Sequence, residues 1–286
     1  MNKKRPFSSL IIDIPTINEN DLVDQLTTHS GSSLLLGMFS ANEIRKVLEK
    51  VGILSALREK GIDDFIIKIH PIEDFDQVLK IYSQKTDKAH QLAEVRLKEG
   101  CLSQPAKSSI NPDISQSHIL SIEWMMMQNP FKEFSPHHPG LPGQDHPGLG
   151  QARKVLKLII AYCRLKNLDG VVNFPEYYHN AFLYREVFKF YDPCKEAEFR
   201  AVLRDISHLS LAEMSWAVNT GCIVNMQNNS TYDWVSDIQI FPLNENLQQY
   251  FQSAAYLETY NTTFSDSRFI VDEEKFKNIK NQPQTP

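Results

Sequence analysis

The chain of 286 residues is long enough to bury a large hydrophobic core, as one elaborated domain or as two closely packed ones. Its hydrophobic fraction of 42% and charged fraction of 23% are those of an ordinary globular protein. The net charge of −5 argues against general affinity for nucleic acid or anionic membranes, and no apolar run approaches the roughly 20 residues that cross a bilayer.

Two short helices and a strand are predicted first along the chain. Ser40–Glu43 has the spacing of a capping box, and apolar residues at helical intervals follow it to about Val51. A second helical turn includes Ala56 and Leu57. Phe65–Ile69 is a short apolar run that ends before a proline, which is typical of a strand.

A hairpin and a central strand are predicted next. Val78–Tyr82 and Gln91–Leu97 are strand candidates on either side of a polar turn, although the second would also fit a helix. Residues 103–117 have the polar composition of an exposed loop. Ile119–Gln128 is dense in large apolar side chains and is predicted to be a central strand, with its Trp124-Met-Met-Met127 run in the core.

A long proline-rich loop is predicted at Asn129–Pro147, because five prolines exclude a continuous helix or central strand. Its His137, His138 and His146, together with Asp145, have the side-chain chemistry of a metal site. Their spacing is not that of a helical metal motif, so we expect solvated histidines and no metal.

The second half of the chain predicts alternating helices and strands. Ala152, Val155, Leu156, Ile159 and Cys163 form one apolar stripe of a helix. The later predicted elements are a strand at Val171–Phe174, one or two helices in Glu196–Asn219, two strands in Gly221–Phe241 around a polar turn, and a helix at Leu247–Tyr256.

The glycines at Gly148 and Gly150 precede the helix that starts near Ala152. A glycine turn at a helix N-terminus presents backbone N–H groups to a phosphate, aided by the positive end of the helix dipole. The alternative is a tight turn that merely starts the helix, because a lone Gly-x-Gly is a weak signal.

Three motifs in this region resemble those of the GNAT acyltransferase superfamily. They are Asp145-His-Pro-Gly148-Leu-Gly150 at the turn, Asn180-Ala-Phe-Leu-Tyr184 in the next helix, and Phe188-Lys-Phe190 in the strand that follows. The similarity covers roughly Ile119–Pro193, or starts near Phe65 if the hairpin is included. The resemblance implies acetyl-CoA or another acyl-CoA as the cofactor, bound by Gly148, Leu149, Gly150, Gln151, Ala152 and Asn180.

The resemblance also implies an α/β (α+β) fold with a mixed central sheet flanked by helices. On this basis residues 1–60 are an N-terminal helical extension, residues 61–193 are the GNAT-like core, and residues 194–286 are a C-terminal segment packed on it. No linker rich in Gly, Ser or Pro separates that segment from the core.

Two candidate catalytic residues follow from the same resemblance. Tyr184 stands where many members keep a general acid, and Glu123 where some keep a general base, usually acting through water. The alternatives are that Tyr184 fills the core and that Glu123 pairs with a basic side chain or faces solvent. His179 is expected to pack or cap rather than to act as a base, and Asn180 fits a helix N-cap.

Two functions therefore remain open. The first is an acyl-CoA-dependent N-acyltransferase that acts on a small-molecule or peptide amine. The second is a non-catalytic structural or partner-binding protein, favoured by the acid at Asp145, where the family has Arg or Gln, and by the long loop.

The sequence further predicts a cytoplasmic protein. Asp13 interrupts the apolar segment near the start, so no signal peptide is expected. The four cysteines are far apart and have no CxxC spacing, which is typical of reduced thiols.

Overall fold

The computed structural model describes residues 34–102 and 116–280, which form two compact units. Unit 1 contains residues 34–101, 117–130 and 148–171, and unit 2 contains residues 102, 116, 131–147 and 172–280. Most of the predicted polar loop at 103–117 lies outside the described residues. The predicted division at residues 60 and 193 stays a prediction.

Unit 1 contains three helices and the first strands of the chain. Its elements are α1 (Ala41–Lys50), α2 (Ile53–Arg58), β1 (Phe65–Glu73), β2 (Asp76–Ser83), β3 (Gln91–Cys101), β4 (His118–Met127), α3 (Ala152–Leu165) and the start of β5 (Gly170–Asn173). The strands follow the order β1-β2-β3-β4-β5, and the first four pair antiparallel. The predicted hairpin is therefore confirmed, and Gln91–Leu97 is a strand.

The helices of unit 1 form where local signals place them. The backbone N–H of Ser40 donates to Oε2 of Glu43 at 2.8 Å, and the Glu43 N–H donates to Oγ of Ser40 at 3.3 Å, which completes the predicted capping box. Leu156, Ile159 and Cys163 of α3 are buried, as the apolar stripe predicts.

Strand β1 continues through Pro71, although the sequence predicts that it stops before this proline. The order of strands places β1 at the edge of the sheet that the described residues form. An edge strand accepts a proline because its outer N–H groups have no partner in the ladder. The pairing with β2 becomes irregular between Pro71 and Glu73.

Strand β4 contains a bulge at Glu123. Arg96 pairs with Trp124 and Leu97 pairs with Ile122, so Glu123 is an extra residue with no partner of its own in β3. The prediction that the run starting at Trp124 lies in the core is wrong for this residue, since 47% of Trp124 is exposed. The bulge changes the alternation of faces, which periodicity alone does not reveal.

Unit 2 is built mainly from helices and short strands. Its elements are the end of β5, α4 (Tyr178–Tyr184), β6 (Lys189–Phe190), α5 (Pro193–Asp205), α6 (Leu211–Asn219), β7 (Ile223–Asn225), β8 (Ser230–Thr231), β9 (Gln239–Pro242), α7 (Glu245–Gln252), α8 (Ala254–Asp266), β10 (Phe269–Val271) and α9 (Glu273–Lys280). Strands β6 and β9 pair antiparallel, and β7 pairs antiparallel with β10 and with β8.

Two predictions in unit 2 need correction. The segment predicted as a polar turn before residue 234 contains strand β8. Of the strand predicted after this turn, only the part that lies in β9 (Gln239–Pro242) is a strand. The single helix predicted at Leu247–Tyr256 is two helices that meet at Ser253. The Ser253 side chain accepts a hydrogen bond from the Tyr256 N–H and so caps the second helix.

The described residues have the predicted fold class, an α+β arrangement with a mixed sheet flanked by helices. Residues 129–147 contain no helix or strand, as their prolines predict. Within residues 34–102 and 116–280, no helix combines the length and the apolar character that crossing a membrane would require.

Candidate functional site

The predicted phosphate-binding turn connects the end of β4 to α3 within unit 1. Gly148 forms an isolated antiparallel bridge with Gln128, which follows β4 directly. Leu149 is buried, and Gly150 has a φ of +73°, in the left-handed region that favours glycine. Gln151 is the N-cap of α3, and no hydrogen bond from its side chain caps the helix.

Gly150 has space where a Cβ atom would lie. A Cβ atom built there would have Nζ of Lys60 as its nearest neighbour, at 3.6 Å. The same ammonium group donates a hydrogen bond to the carbonyl oxygen of Leu149. The flexible end of a lysine side chain, rather than rigid backbone, therefore borders the glycine.

Basic side chains surround the start of α3. Arg153 is exposed, and Nζ of Lys154 donates to the Gly52 carbonyl at 3.1 Å. Burial lowers the pKa of Lys157, and the positive charges of Lys154 and Arg153 lower it further, so these groups share one region of positive potential.

The charges at the start of α3 are opposite in sign to those usually found at a helix N-terminus. Acidic side chains stabilise the N-terminus because the helix dipole is positive there. The first turn of α3 has no acidic residue, and Arg153 and Lys154 occupy it instead. With Lys60 nearby, the dipole and the side chains both favour an anion at this position.

The candidate base Glu123 also belongs to unit 1 and lies at the bulge of β4, where its side chain is exposed. Its side chain therefore faces solvent, as one of the alternatives has it, and its negative charge also acts on Arg96 of β3. A bulge re-aims side chains and is common beside active sites, so exposure is compatible with the proposed role.

The candidate acid Tyr184 lies at the end of α4 in unit 2. Its ring contacts that of Phe188 edge to face, with the ring centres 6.2 Å apart. Burial raises the pKa of Tyr184 to about 12, so the phenol is protonated at neutral pH, as a proton donor must be. The half-buried position of Tyr184 is compatible both with packing in the core and with a role as proton donor.

Asn180 is not the N-cap of α4, contrary to the prediction. The helix starts at Tyr178 with Tyr177 as its N-cap, and the Asn180 N–H donates to the Tyr177 carbonyl at 3.0 Å. Asn180 is thus the third residue of the helix, where its side chain is not the capping group.

His179 is buried in unit 2, in line with the predicted packing role. Its ring stacks on that of Tyr177 at 5.5 Å, and 3% of the residue is exposed. Burial lowers the pKa of His179 to about 4, so the imidazole is neutral at pH 7.

Several buried polar atoms of unit 2 have no hydrogen-bond partner among the described residues. They are Oδ1 of Asn173, the hydroxyls of Tyr178 and Tyr232, Nδ1 of His179, and both amide atoms of Gln239. Sequence analysis does not single out Tyr232 or Gln239, because burial of a lone polar side chain leaves no periodic signal. Such groups are costly to bury without a partner.

The predicted histidine loop belongs to unit 2. Over residues 34–102 and 116–280, no cluster of three His, Cys, Asp or Glu side chains has the arrangement to hold a metal ion.

Unit 1 also contains an apolar cavity of about 130 Å³ that sequence analysis missed. Side chains of α1, α2 and α3 line it together with side chains of β2, β3 and β4. Leu149 and Gln151 from the glycine turn lie in its wall. The turn is therefore also part of the wall of this cavity.

The predicted site residues fall in both units. Gly148, Leu149, Gly150, Gln151 and Ala152 are consecutive in one turn of unit 1, which also contains Glu123. Asn180 and Tyr184 share one helix of unit 2. The catalytic roles assigned to Glu123 and Tyr184 stay predictions.

The chain matches no family model, and no curated protein is significantly similar to it. Part of the chain is similar to a solved structure of AtaTR bound with AcCoA. The TM-score is 0.26 and the identity 9%, over 57% of this chain and 83% of the AtaTR chain. A TM-score this low carries no argument, so the fold class rests on the sheet and helices described above.

Proposed function

We propose that the protein is an acyl-CoA-dependent N-acyltransferase that holds cofactor phosphates at the turn formed by residues 148–152. The observation that carries the proposal is the basic start of α3. A helix whose N-terminus lacks acids and is surrounded by Lys60, Arg153, Lys154 and Lys157 is arranged for an anion. The sequence resemblance to GNAT proteins supports acyl-CoA as that anion.

The reaction forms one bond and breaks another. The nitrogen of an acceptor amine attacks the thioester carbonyl carbon, the new C–N bond forms, and the C–S bond breaks. The amine loses a proton and the departing thiolate takes one up. In this proposal Glu123 accepts the first proton, directly or through a water, and Tyr184 supplies the second.

Binding of coenzyme A, measured by isothermal titration calorimetry, tests the cofactor part of the proposal. Lys60→Gln and Arg153→Gln each remove one positive charge near the turn and should weaken binding severalfold, with a smaller effect at high salt. Arg164→Gln is the matched control, because Arg164 is an exposed residue in the last turn of the same helix. At 1.5 Å per residue it lies roughly 16 Å from Arg153 along the axis.

Activity measurements test the chemical part. With acetyl-CoA and a panel of amines, Tyr184→Phe and Glu123→Gln should each lower turnover by about 10²–10⁴-fold while the coenzyme A affinity is unchanged. The loss in Glu123→Gln should be partly rescued at higher pH, where more of the amine is already deprotonated.

A folded protein that binds no coenzyme A at millimolar concentration would contradict the proposal. The second candidate function, a non-catalytic structural or partner-binding protein, would then be preferred. Asp145, an acid at the first position of the family's phosphate motif, is the observation that favours it.

A further inference from the structure

The apolar cavity of unit 1 has the properties of a ligand site. Protein interiors are close-packed, and voids larger than a water molecule are few. A cavity of about 130 Å³ is close in size to the ~150 Å³ apolar cavity, engineered in another protein, that stays dry and binds benzene. Its size therefore matches a compact ligand of about six carbon atoms.

The wall of the cavity is almost entirely apolar. Among the described residues that line it, the side chains are apolar except for those of Gln151 and Tyr162. The Tyr162 hydroxyl is already paired, since it donates to Oε2 of Glu99 at 2.5 Å. Oε1 of Gln151 is buried without a partner among the described residues, and 9% of Gln151 is exposed.

This oxygen is buried too deeply to contact a ligand in the cavity. The wall therefore offers a ligand apolar contacts, which suit an alkyl chain better than a polar or charged group.

We propose that this cavity binds an alkyl chain of about six carbon atoms through apolar contacts alone. The inference goes beyond the proposed transferase function, because it concerns an apolar site and needs no phosphate. Two sources share this chemistry, namely a free alkyl compound and the acyl chain of a thioester.

Isothermal titration calorimetry with straight-chain alcohols from butanol to decanol tests the chain. Affinity should rise about fourfold per methylene, the equivalent of about 0.8 kcal/mol, until roughly six carbons and then level off. Binding should show a negative heat-capacity change. Affinity that increases evenly to decanol, or no binding by any alcohol, would overturn the inference.

Variants of the wall test the location. Ala93→Leu fills the cavity and should move the optimum to shorter alcohols, whereas Leu97→Ala enlarges it and should move the optimum to longer ones. Leu168→Ala is the matched control, because Leu168 is buried to a similar extent in unit 1 but does not line the cavity. It should lower the melting temperature and leave the chain-length optimum where it is. An equal shift of the optimum in Leu168→Ala would contradict the location.

Competition separates the two sources and the two proposals. Displacement of hexanol by hexanoyl-CoA, but not by acetyl-CoA, assigns the cavity to the acyl chain of a thioester. If hexanol binds and no coenzyme A compound binds, the cavity takes free alkyl compounds and the transferase proposal fails alone. If acetyl-CoA binds and no alcohol does, the cavity inference fails alone.

Discussion

The hydroxyl of Tyr162 in α3 donates a 2.5 Å hydrogen bond to Oε2 of Glu99 in β3. The Glu99 side chain is 7% exposed, and its other oxygen lies 3.4 Å from Nε2 of His118. Burial raises the pKa of Tyr162 above its ordinary range, and the hydrogen bond to the carboxylate adds to the effect. The phenol therefore stays protonated and is the donor for a buried acid.

Tyr162→Phe should lower the free energy of unfolding by about 1–3 kcal/mol, because it removes the donor and leaves a buried carboxylate oxygen unpaired. Urea unfolding measures this loss. Tyr82→Phe is the control, since Tyr82 is also buried but its hydroxyl has no hydrogen bond among the described residues. A similar loss in both variants would mean that removal of a buried hydroxyl, rather than loss of the bond to Glu99, is responsible.

Asp76→Asn should be destabilising while Glu49→Gln is close to neutral, although both acids form bidentate pairs with an arginine. Asp76 is 1% exposed and accepts hydrogen bonds from Arg96 at 2.9 and 2.8 Å. Glu49 and Arg58 are both exposed, and such surface pairs contribute little. Chemical unfolding of both variants should show a loss of about 1–3 kcal/mol for Asp76→Asn alone.

The Asp76–Arg96 pair should make the free energy of unfolding depend on pH in the acid range. The hydrogen bond from Arg96 lowers the pKa of Asp76 in the folded state. The ionised Asp76 therefore makes its full contribution to the free energy of unfolding above the unfolded-state pKa of about 3.9. That contribution is lost as the pH falls through the lower folded-state pKa. Asp76→Asn should reduce the pH dependence of the unfolding free energy in this range. An unchanged pH dependence would contradict the assignment of the effect to Asp76.

Two glycines with the same backbone angle should respond differently to alanine. Gly143 and Gly150 have φ values of +74° and +73°, where an alanine costs roughly 1–2 kcal/mol. A Cβ atom at Gly143 would lie 2.6 Å from Cζ of Tyr177, whereas at Gly150 the nearest neighbour is the flexible end of Lys60. Gly143→Ala should therefore lower the unfolding free energy more than Gly150→Ala.

A double-mutant cycle checks the cause of that difference. Tyr177→Leu removes the ring atoms that the new methyl group would meet, so it should recover part of the loss in Gly143→Ala. Tyr177→Leu should leave the cost of Gly150→Ala unchanged. Additive effects at Gly143 and Tyr177 would rule out the clash.

The burial of His179 should make the free energy of unfolding decrease as the pH falls from about 6.5 to about 4. Its folded-state pKa is lowered to about 4 by burial, while the unfolded imidazole titrates near 6.5. In that window the unfolded state binds a proton that the folded state does not, so stability rises with pH, by at most about 1.4 kcal/mol per unit.

Unfolding by urea over pH 4 to 7 measures the effect. His179→Gln should reduce the slope in this range, whereas the slope should persist in His208→Gln, because His208 is exposed. Equal slopes in the parent protein and in His179→Gln would show that another group titrates there.

Several elements could be predicted because their causes are local. The capping box at Ser40 and the stripe of α3 depend on residues three or four positions apart, and the β2–β3 hairpin depends on two neighbouring runs. The prolines of residues 129–147 exclude regular structure wherever the loop lies. The glycine turn before α3 is likewise predicted from neighbouring residues.

Other features depend on partners that are distant in the sequence. Pro71 fits in β1 because that strand lies at an edge, and Glu123 is exposed because β3 pairs around it. The burial of Gln151 and His179, and hence the unpaired oxygen and the neutral imidazole, is set by side chains from other elements.

The sequence by itself predicted most helices and strands and the turn where an anion is expected, since each follows from residues close together in the chain. The fold class was predicted from the resemblance of three such local motifs to a known family. The tertiary structure decided which polar groups are buried, where the apolar cavity lies, and how the two units share the chain. Residues 148–171 belong to the same unit as residues 34–101, although residues 131–147, which directly precede them in the chain, belong to the other unit. Burial and cavity volume depend on which distant segments pack together, and periodicity within one segment holds no information about its partners.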